Sequence, residues 1–253
     1  MASFNSLSPI RYTACVKLSR IALPLALSLT VTGCKTSDST RRAEDYSRDT
    51  RPARPMALNP SPAATPTIKD ERPVILCFGD SITAGYNLDA GQSYPDYLQK
   101  ALDEKGYRYH VVNQGISGDT TKDALARVED AVALHPAVIL VELGGNDGLR
   151  GIPIASTRAN FDGILAKLTA TGAKVILLGI TLPPQYGKVY INQFNETYAL
   201  MATKYNLTLF PFLYKDVYGV HGAIQRDGIH PTDLGSQLIV KNVLPLVEPN
   251  LKR

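Results

Sequence analysis

Five short apolar runs, each followed by a stretch whose apolar residues recur at helical spacing, govern what residues 73–253 can fold into. The runs are Val74–Phe78, Tyr109–Asn113, Ala137–Leu143, Lys174–Ile180 and Leu207–Phe210. Their nearly continuous apolar character fits strands covered on both faces. Between them, Tyr94, Tyr97, Leu98, Ala101 and Leu102 stand at i, i+3, i+4, i+7 and i+8, with Pro95 in the first turn, where its missing N–H costs nothing. Leu125, Val128 and Val132 mark a second helix. Phe161, Ile164, Leu165 and Leu168 mark a third, which stops at Thr171-Gly172. Phe194, Tyr198, Met201 and Tyr205 mark a fourth, and Val240, Val243, Leu244 and Val247 the last. This alternation predicts an α/β fold of three layers, α/β/α, around a five-stranded parallel sheet, with the strand order 2-1-3-4-5 as its natural form.

In such a sheet the reactive groups belong just beyond the carboxyl ends of the strands. Four segments fall there: Gly79-Asp80-Ser81-Ile82-Thr83, Asn113-Gln114-Gly115-Ile116-Ser117-Gly118-Asp119, Gly144-Gly145-Asn146-Asp147 and Asp227-Gly228-Ile229-His230. Each alone is weak, but motifs arising by chance would scatter over both ends of the sheet. Together they supply the groups for acyl transfer through a serine ester. Ser81 is the candidate nucleophile, in a strand-to-helix turn where a serine also serves as a helix cap. His230 is the candidate base, with Asp227 to hold its other nitrogen and Pro231 to start the last helix. The backbone N–H groups of Ser81 and Gly115 and the side-chain amide of Asn146 are the candidate oxyanion donors. Asp80, Asp119 and Asp147 read as anchors of their loops. Of the other histidines, His110 lies in a strand and His135 precedes Pro136, leaving His221 as the rival base.

The same blocks resemble the SGNH (GDSL) hydrolase family, whose four named blocks carry Ser, Gly, Asn and His. The extended run Val141 to Gly151, the segment Leu182 to Tyr190 and Asp227 to Pro231 resemble the family's multifunctional thioesterase, lysophospholipase and arylesterase branch, and the likeness covers residues 73–247. The resemblance implies the flavodoxin-like SGNH hydrolase fold and a broad esterase acting on thioesters, lysophospholipids and aryl or simple esters, with no cofactor. Removal of small O-acyl groups from envelope polysaccharide uses the same catalytic groups and is the alternative. Leu149, Ile152, Pro183 and Tyr186, in the loops after the third and fourth strands, are the candidate walls of an acyl groove, loop packing being the plainer role.

Other frameworks lack their signatures. Ser81 is not in Gly-x-Ser-x-Gly, no Gly-x-Gly-x-x-Gly follows the first run, no Gly-Lys-Ser/Thr is present, and no His/Cys/Asp cluster has zinc spacing, so no metal is expected. The formal charge of +4 belongs to the N-terminal segment: residues 73–253 hold 16 Lys and Arg against 17 Asp and Glu. The folded part therefore gives no electrostatic case for nucleic acid.

Residues 1–33 read as a lipoprotein signal peptide. Arg11, Lys17 and Arg20 precede the apolar run Ile21–Val31, which is too short to span a bilayer and ends in Val31-Thr32-Gly33-Cys34, a lipobox-like sequence with Cys34 as the lipidation site. Residues 34–72, with prolines at 52, 55, 60, 62 and 66, read as a flexible tether, and residues 73–253 as the hydrolase domain. The expectation is a membrane partner reached through a lipid anchor, a periplasm-facing lipoprotein of the bacterial envelope, and outer-membrane delivery because position 35 is Lys rather than Asp. Cys15 lies in the signal and Cys77 in the first apolar run, so the three cysteines make no disulfide framework.

Overall fold

The computed structural model describes residues 70–253; the segment read as a signal peptide, Cys34 and all but the last three residues of the expected tether lie outside them. Those last three lean on the sheet: Asp70 pairs with Arg72 and, at 3.2 Å, with the His110 ring. In chain order the described residues form β1 (Val74–Gly79), α1 (Ser81–Ala84), α2 (Tyr94–Glu104), β2 (His110–Gly115), α3 (Thr121–Ala126), α4 (Val128–Val132), β3 (Val138–Glu142), α5 (Gly145–Leu149), α6 (Ile154–Ala170), β4 (Lys174–Leu178), α7 (Lys188–Tyr205), β5 (Thr208–Phe210) and α8 (Asp233–Val247). The five strands are all parallel, in the order β2-β1-β3-β4-β5. Helices cover both faces, α2 packing with α8 on one and α3, α4 and α7 with α6 on the other. Among the described residues no helix is long and apolar enough to cross a membrane.

The core follows from the apolar runs. Ile75 to Phe78 and Val138 to Val141 are fully buried, and Tyr94, Leu98, Leu102, Phe161 and Phe194 fill the space between sheet and helices. Burial of this kind drives folding at roughly 25 cal/mol per Å² of apolar surface. Burial on both faces holds for β1 and β3 and nearly for β4, but β2 and β5 are only partly buried, because each closes an edge of the sheet. The second expected helix is broken in two at Arg127, which leaves helical geometry (φ −112°, ψ 11°). Its guanidinium lies over the Phe78 ring at 4.4 Å and donates to the carbonyls of Gly79 and Gln114 and to Asp119 Oδ2. One cation thus ties the ends of β1 and β2 to the loop that follows β2.

The strand order reverses between β1 and β3. There the loops after the two strands diverge to opposite faces and leave a crevice at the carboxyl edge. Ser81 follows β1 and Asn146 follows β3, so both stand beside that crevice.

Candidate active site

Asp80 caps α1, its Oδ1 accepting the Ile82 N–H at 3.1 Å, and this fixes the turn that carries Ser81. Ser81 is 9 % exposed, and its Oγ lies 2.8 Å from His230 Nε2. His230 Nδ1 lies 2.7 Å from Asp227 Oδ2, while Asp227 Oδ1 accepts the N–H groups of Ile229 (2.9 Å) and His230 (3.1 Å). A separation of three residues therefore closes a tight turn with carboxylate and imidazole on the same side. Helix α8 begins later than Pro231: Pro231 bridges antiparallel to Ile224, and Thr232 caps a helix starting at Asp233. The bridge, with the Gln225 N–H on the His230 carbonyl at 2.8 Å, pins the histidine independently of the helix. The Tyr86 ring lies 4.6 Å from the imidazole, and Gln225 Nε2 joins the Tyr86 and Pro231 carbonyls, a brace that no motif announced. His221 is exposed, and no hydrogen bond joins it to Ser81 or Asp227.

Burial alone would raise the Asp227 carboxyl, but the hydrogen bonds from His230 and the two backbone N–H groups outweigh it and hold it below the usual range. Asp80 is opposite: burial pushes it up to about 6 against the pull of the Ile82 N–H, Glu142 and His230. The two therefore act on stability with opposite sign. Asp227 contributes stability above its ordinary range, lost as pH falls through its lowered value. Asp80 favours the fold while protonated, a contribution lost as pH rises through about 6. Burial lifts the Cys77 thiol to about 12, which leaves it inert as a nucleophile.

Asn146 is the second residue of α5, and its Nδ2 donates to the Asp119 carbonyl at 2.9 Å and reaches Asp80 Oδ2 at 3.3 Å. Asp119 is held by Arg127, so the guanidinium sets the carbonyl that orients Asn146. Asp147 accepts the N–H and hydroxyl of Thr121 and the Thr157 hydroxyl, anchoring the loop as expected of it.

Gly115 requires correction. Its N–H is taken by Asn113 Oδ1 at 2.9 Å, and it does not line the cavity beside Ser81. Its role is close approach: a Cβ there would stand 2.1 Å from the Ala84 backbone nitrogen. Gly118 does line the cavity, with φ +90°, and its N–H donates to no group among the described residues. Of the two glycines, Gly118 is the one that faces the cavity. Gly115→Ala is expected to destabilise the fold by about 3 kcal/mol through overpacking, while Gly118→Ala strains the φ-positive turn and lowers kcat. Thermal melts and ester kinetics on the two variants separate the roles.

The cavity measures about 440 Å³, and beside the polar groups it is walled by Leu149, Ile180, Leu182, Pro183 and Phe212. Leu149 and Pro183 thus stand where a groove was expected. Ile152 and Tyr186 do not. Tyr186 Oη donates to the Leu149 carbonyl (2.9 Å) and Tyr190 Oη to the Ile152 carbonyl (3.2 Å), so two tyrosines brace the loop that presents Leu149. No cluster of metal-ligating side chains occurs among the described residues.

A parallel sheet in this order, with serine, imidazole and carboxylate linked at its carboxyl edge, defines a hydrolase of the serine-esterase class. The chain belongs to the GDSL-like lipase/acylhydrolase family, which it matches over residues 77–238. It is 45 % identical over 178 residues to esterase TesA of Pseudomonas aeruginosa, covering 70 % of this chain and 89 % of that one. It is 38 % identical over 178 residues to thioesterase 1/protease 1/lysophospholipase L1 of Escherichia coli, covering 68 % and 84 %. A crystal structure of TesA superposes with a TM-score of 0.67 at 45 % identity, covering 70 % of this chain and 99 % of that one.

Proposed function

We propose that this esterase works through an acyl-enzyme on Ser81 and takes acyl esters and thioesters with an apolar acyl chain. His230 Nε2 accepts the Ser81 proton as Oγ bonds to the substrate carbonyl carbon. The carbonyl electron pair moves to oxygen, where the N–H groups of Ser81 and Gly118 receive it together with the Asn146 amide, whose second N–H exchanges its long 3.3 Å contact with Asp80 Oδ2 for the oxyanion. On collapse the bond to the alcohol or thiol breaks, and His230 hands that group its proton. Water, deprotonated by His230, then attacks the acyl-serine; the acyl carbon–Oγ bond breaks, the carboxylic acid leaves, and the proton returns to Ser81. Asp227 holds the imidazole by Nδ1 and stabilises its charged form.

The observation that carries this reading is the Oγ–imidazole–carboxylate chain, with contacts of 2.8 and 2.7 Å, at a cavity with largely apolar walls. The relatives' names, esterase and thioesterase/lysophospholipase, agree with it. A panel of p-nitrophenyl esters from acetyl to palmitoyl is expected to give rising kcat/KM beyond the acetyl ester, because each buried CH₂ is worth about 0.8 kcal/mol. Turnover confined to the acetyl ester would favour removal of small O-acyl groups instead. A fluorophosphonate adduct mapped to a residue other than Ser81 would overturn the nucleophile.

We further propose that residues 73–253 act at the bacterial envelope, facing the periplasm on a lipoprotein anchor at Cys34, in the outer membrane. Support comes from the apolar run ending in Val31-Thr32-Gly33-Cys34 and from Lys35. One acyl chain binds membranes only marginally, so stable anchoring needs several. Cys34→Ser is expected to move the protein out of the membrane fraction with its esterase activity intact. A mature N-terminus other than lipidated Cys34 in mass spectrometry would defeat the anchor.

A further inference from the structure

Glu142 ends β3 with no exposure to solvent, at the level where β3 meets the last residue of β1. Its Oε2 accepts the Thr83 hydroxyl at 2.9 Å, and Thr83 Oγ1 in turn lies 3.1 Å from Tyr94 Oη. Its Oε1 is buried without a donor among the described residues. The carboxyl group beside it is that of Asp80, 2 % exposed, which accepts from Ile82 and touches Asn146. No lysine or arginine among the described residues pairs with either carboxyl, for Arg127 is spent on Asp119 and two carbonyls. Tyr198 donates to the Leu143 carbonyl and Tyr214 to that of Ile229, so neither hydroxyl serves the pair. Two adjacent carboxylates without a cation cannot both stay ionised in a dry interior. One proton between them removes the repulsion and gives Oε1 its partner.

We infer that Glu142 holds that proton and donates it in a hydrogen bond to Asp80, and that this one-charge pair positions the Asn146 amide on the oxyanion side of the cavity. Every hydrogen bond then runs one way: Tyr94 to Thr83, Thr83 to Glu142, Glu142 to Asp80, with Asp80 accepting from Ile82 and Asn146. The electrostatics agree. Burial, and then the Asp80 charge, push Glu142 well above the usual carboxylate range against the pull of the Thr83 hydroxyl and the Asp80 backbone N–H. The charged and titratable neighbours of the pair are His230, which favours the Asp80 charge, Asp119, which opposes it, and Tyr94, Tyr198 and Tyr214, all pushed up chiefly by burial. Glu142 touches no substrate; it acts through Asp80. The inference rests on the proposed role of Asn146 as an oxyanion donor.

Two variants of the full-length protein and one spectroscopic readout test it. Glu142→Gln keeps a neutral donor toward Asp80 and an acceptor for Thr83, so kcat should stay within about twofold of the parent. Glu142→Val removes the donor. It should lower kcat by roughly 10–10²-fold with KM unchanged, in the direction of Asn146→Ala, for which loss of one donor is expected to cost about 10²–10³-fold. Infrared difference spectra at pH 7 should show one protonated-carboxyl band in the parent that is missing in Glu142→Gln. Absence of that band, equal losses in the two variants, or a fully active Glu142→Val with native circular dichroism would each overturn the inference. The band needs no turnover, so failure of the Ser81 mechanism would leave it visible.

Discussion

Ser81→Ala is expected to reduce hydrolysis of every ester the protein accepts by about 10⁴- to 10⁶-fold, the scale on which serine hydrolases fail when the nucleophile is removed. The remaining rate would come from donors that still surround the carbonyl oxygen. The fold should persist. Asp80, not Ser81, caps α1, and the Ser81 hydroxyl makes one hydrogen bond, to His230. Such a bond contributes about 1 kcal/mol, equivalent to about 2–4 °C in a domain of this size. A thermal midpoint within that interval, together with the kinetic loss, would assign the effect to chemistry. Turnover near that of the parent, with an unchanged circular dichroism spectrum, would show that another group attacks the ester.

The sheet was legible because its central strands are buried on both faces, which forces runs such as Val74–Phe78 and Ala137–Leu143; β1 and β3 fall within a residue of them at either end. Breaking of the second helix at Arg127 was not legible. It depends on carbonyls at the ends of β1 and β2, distant in sequence. At the site, Ser81 and Asn146 announced themselves through strand-end position and Asp227 and His230 through their three-residue spacing, and the structure links Ser81 to that pair. The choice between Gly115 and Gly118 was harder, because two glycines three residues apart offer the same backbone donor. A local signal did exist: Asn side chains commonly bond the N–H two residues on, and Asn113 stands two before Gly115. Tyr186 and Ile152 misled for another reason: a tyrosine in a cavity loop can spend its hydroxyl on the loop's own carbonyls, and an apolar residue in such a loop need not face the cavity. Glu142, by contrast, carried a mark in the sequence. A carboxylate closing the run Val138-Ile139-Leu140-Val141 must lie in the core or at its rim.

His230→Ala is expected to match Ser81→Ala within about tenfold, and the double variant to be no worse than either, because nucleophile and base act as one unit. Asp227→Asn should cost less, roughly 10³–10⁴-fold. It leaves Ser81 and His230 in place, but loses the charge that stabilises the imidazolium and the acceptor that fixes its tautomer. The geometry sharpens this expectation. Asp227 Oδ1 is occupied by the N–H groups of Ile229 and His230, so an asparagine keeps its oxygen there and turns its NH₂ toward His230 Nδ1. Nδ1 must then accept, the proton moves to Nε2, and Nε2 can no longer take the proton of Ser81. Raising the pH should not restore the rate, because the fault is one of tautomer rather than of charge alone. His221→Ala should leave kcat within about twofold, since no contact joins that exposed ring to the serine. Loss of activity in His221→Ala with retention in His230→Ala would transfer the role of base to His221 and remove the 2.8 Å Ser81–His230 contact from the mechanism.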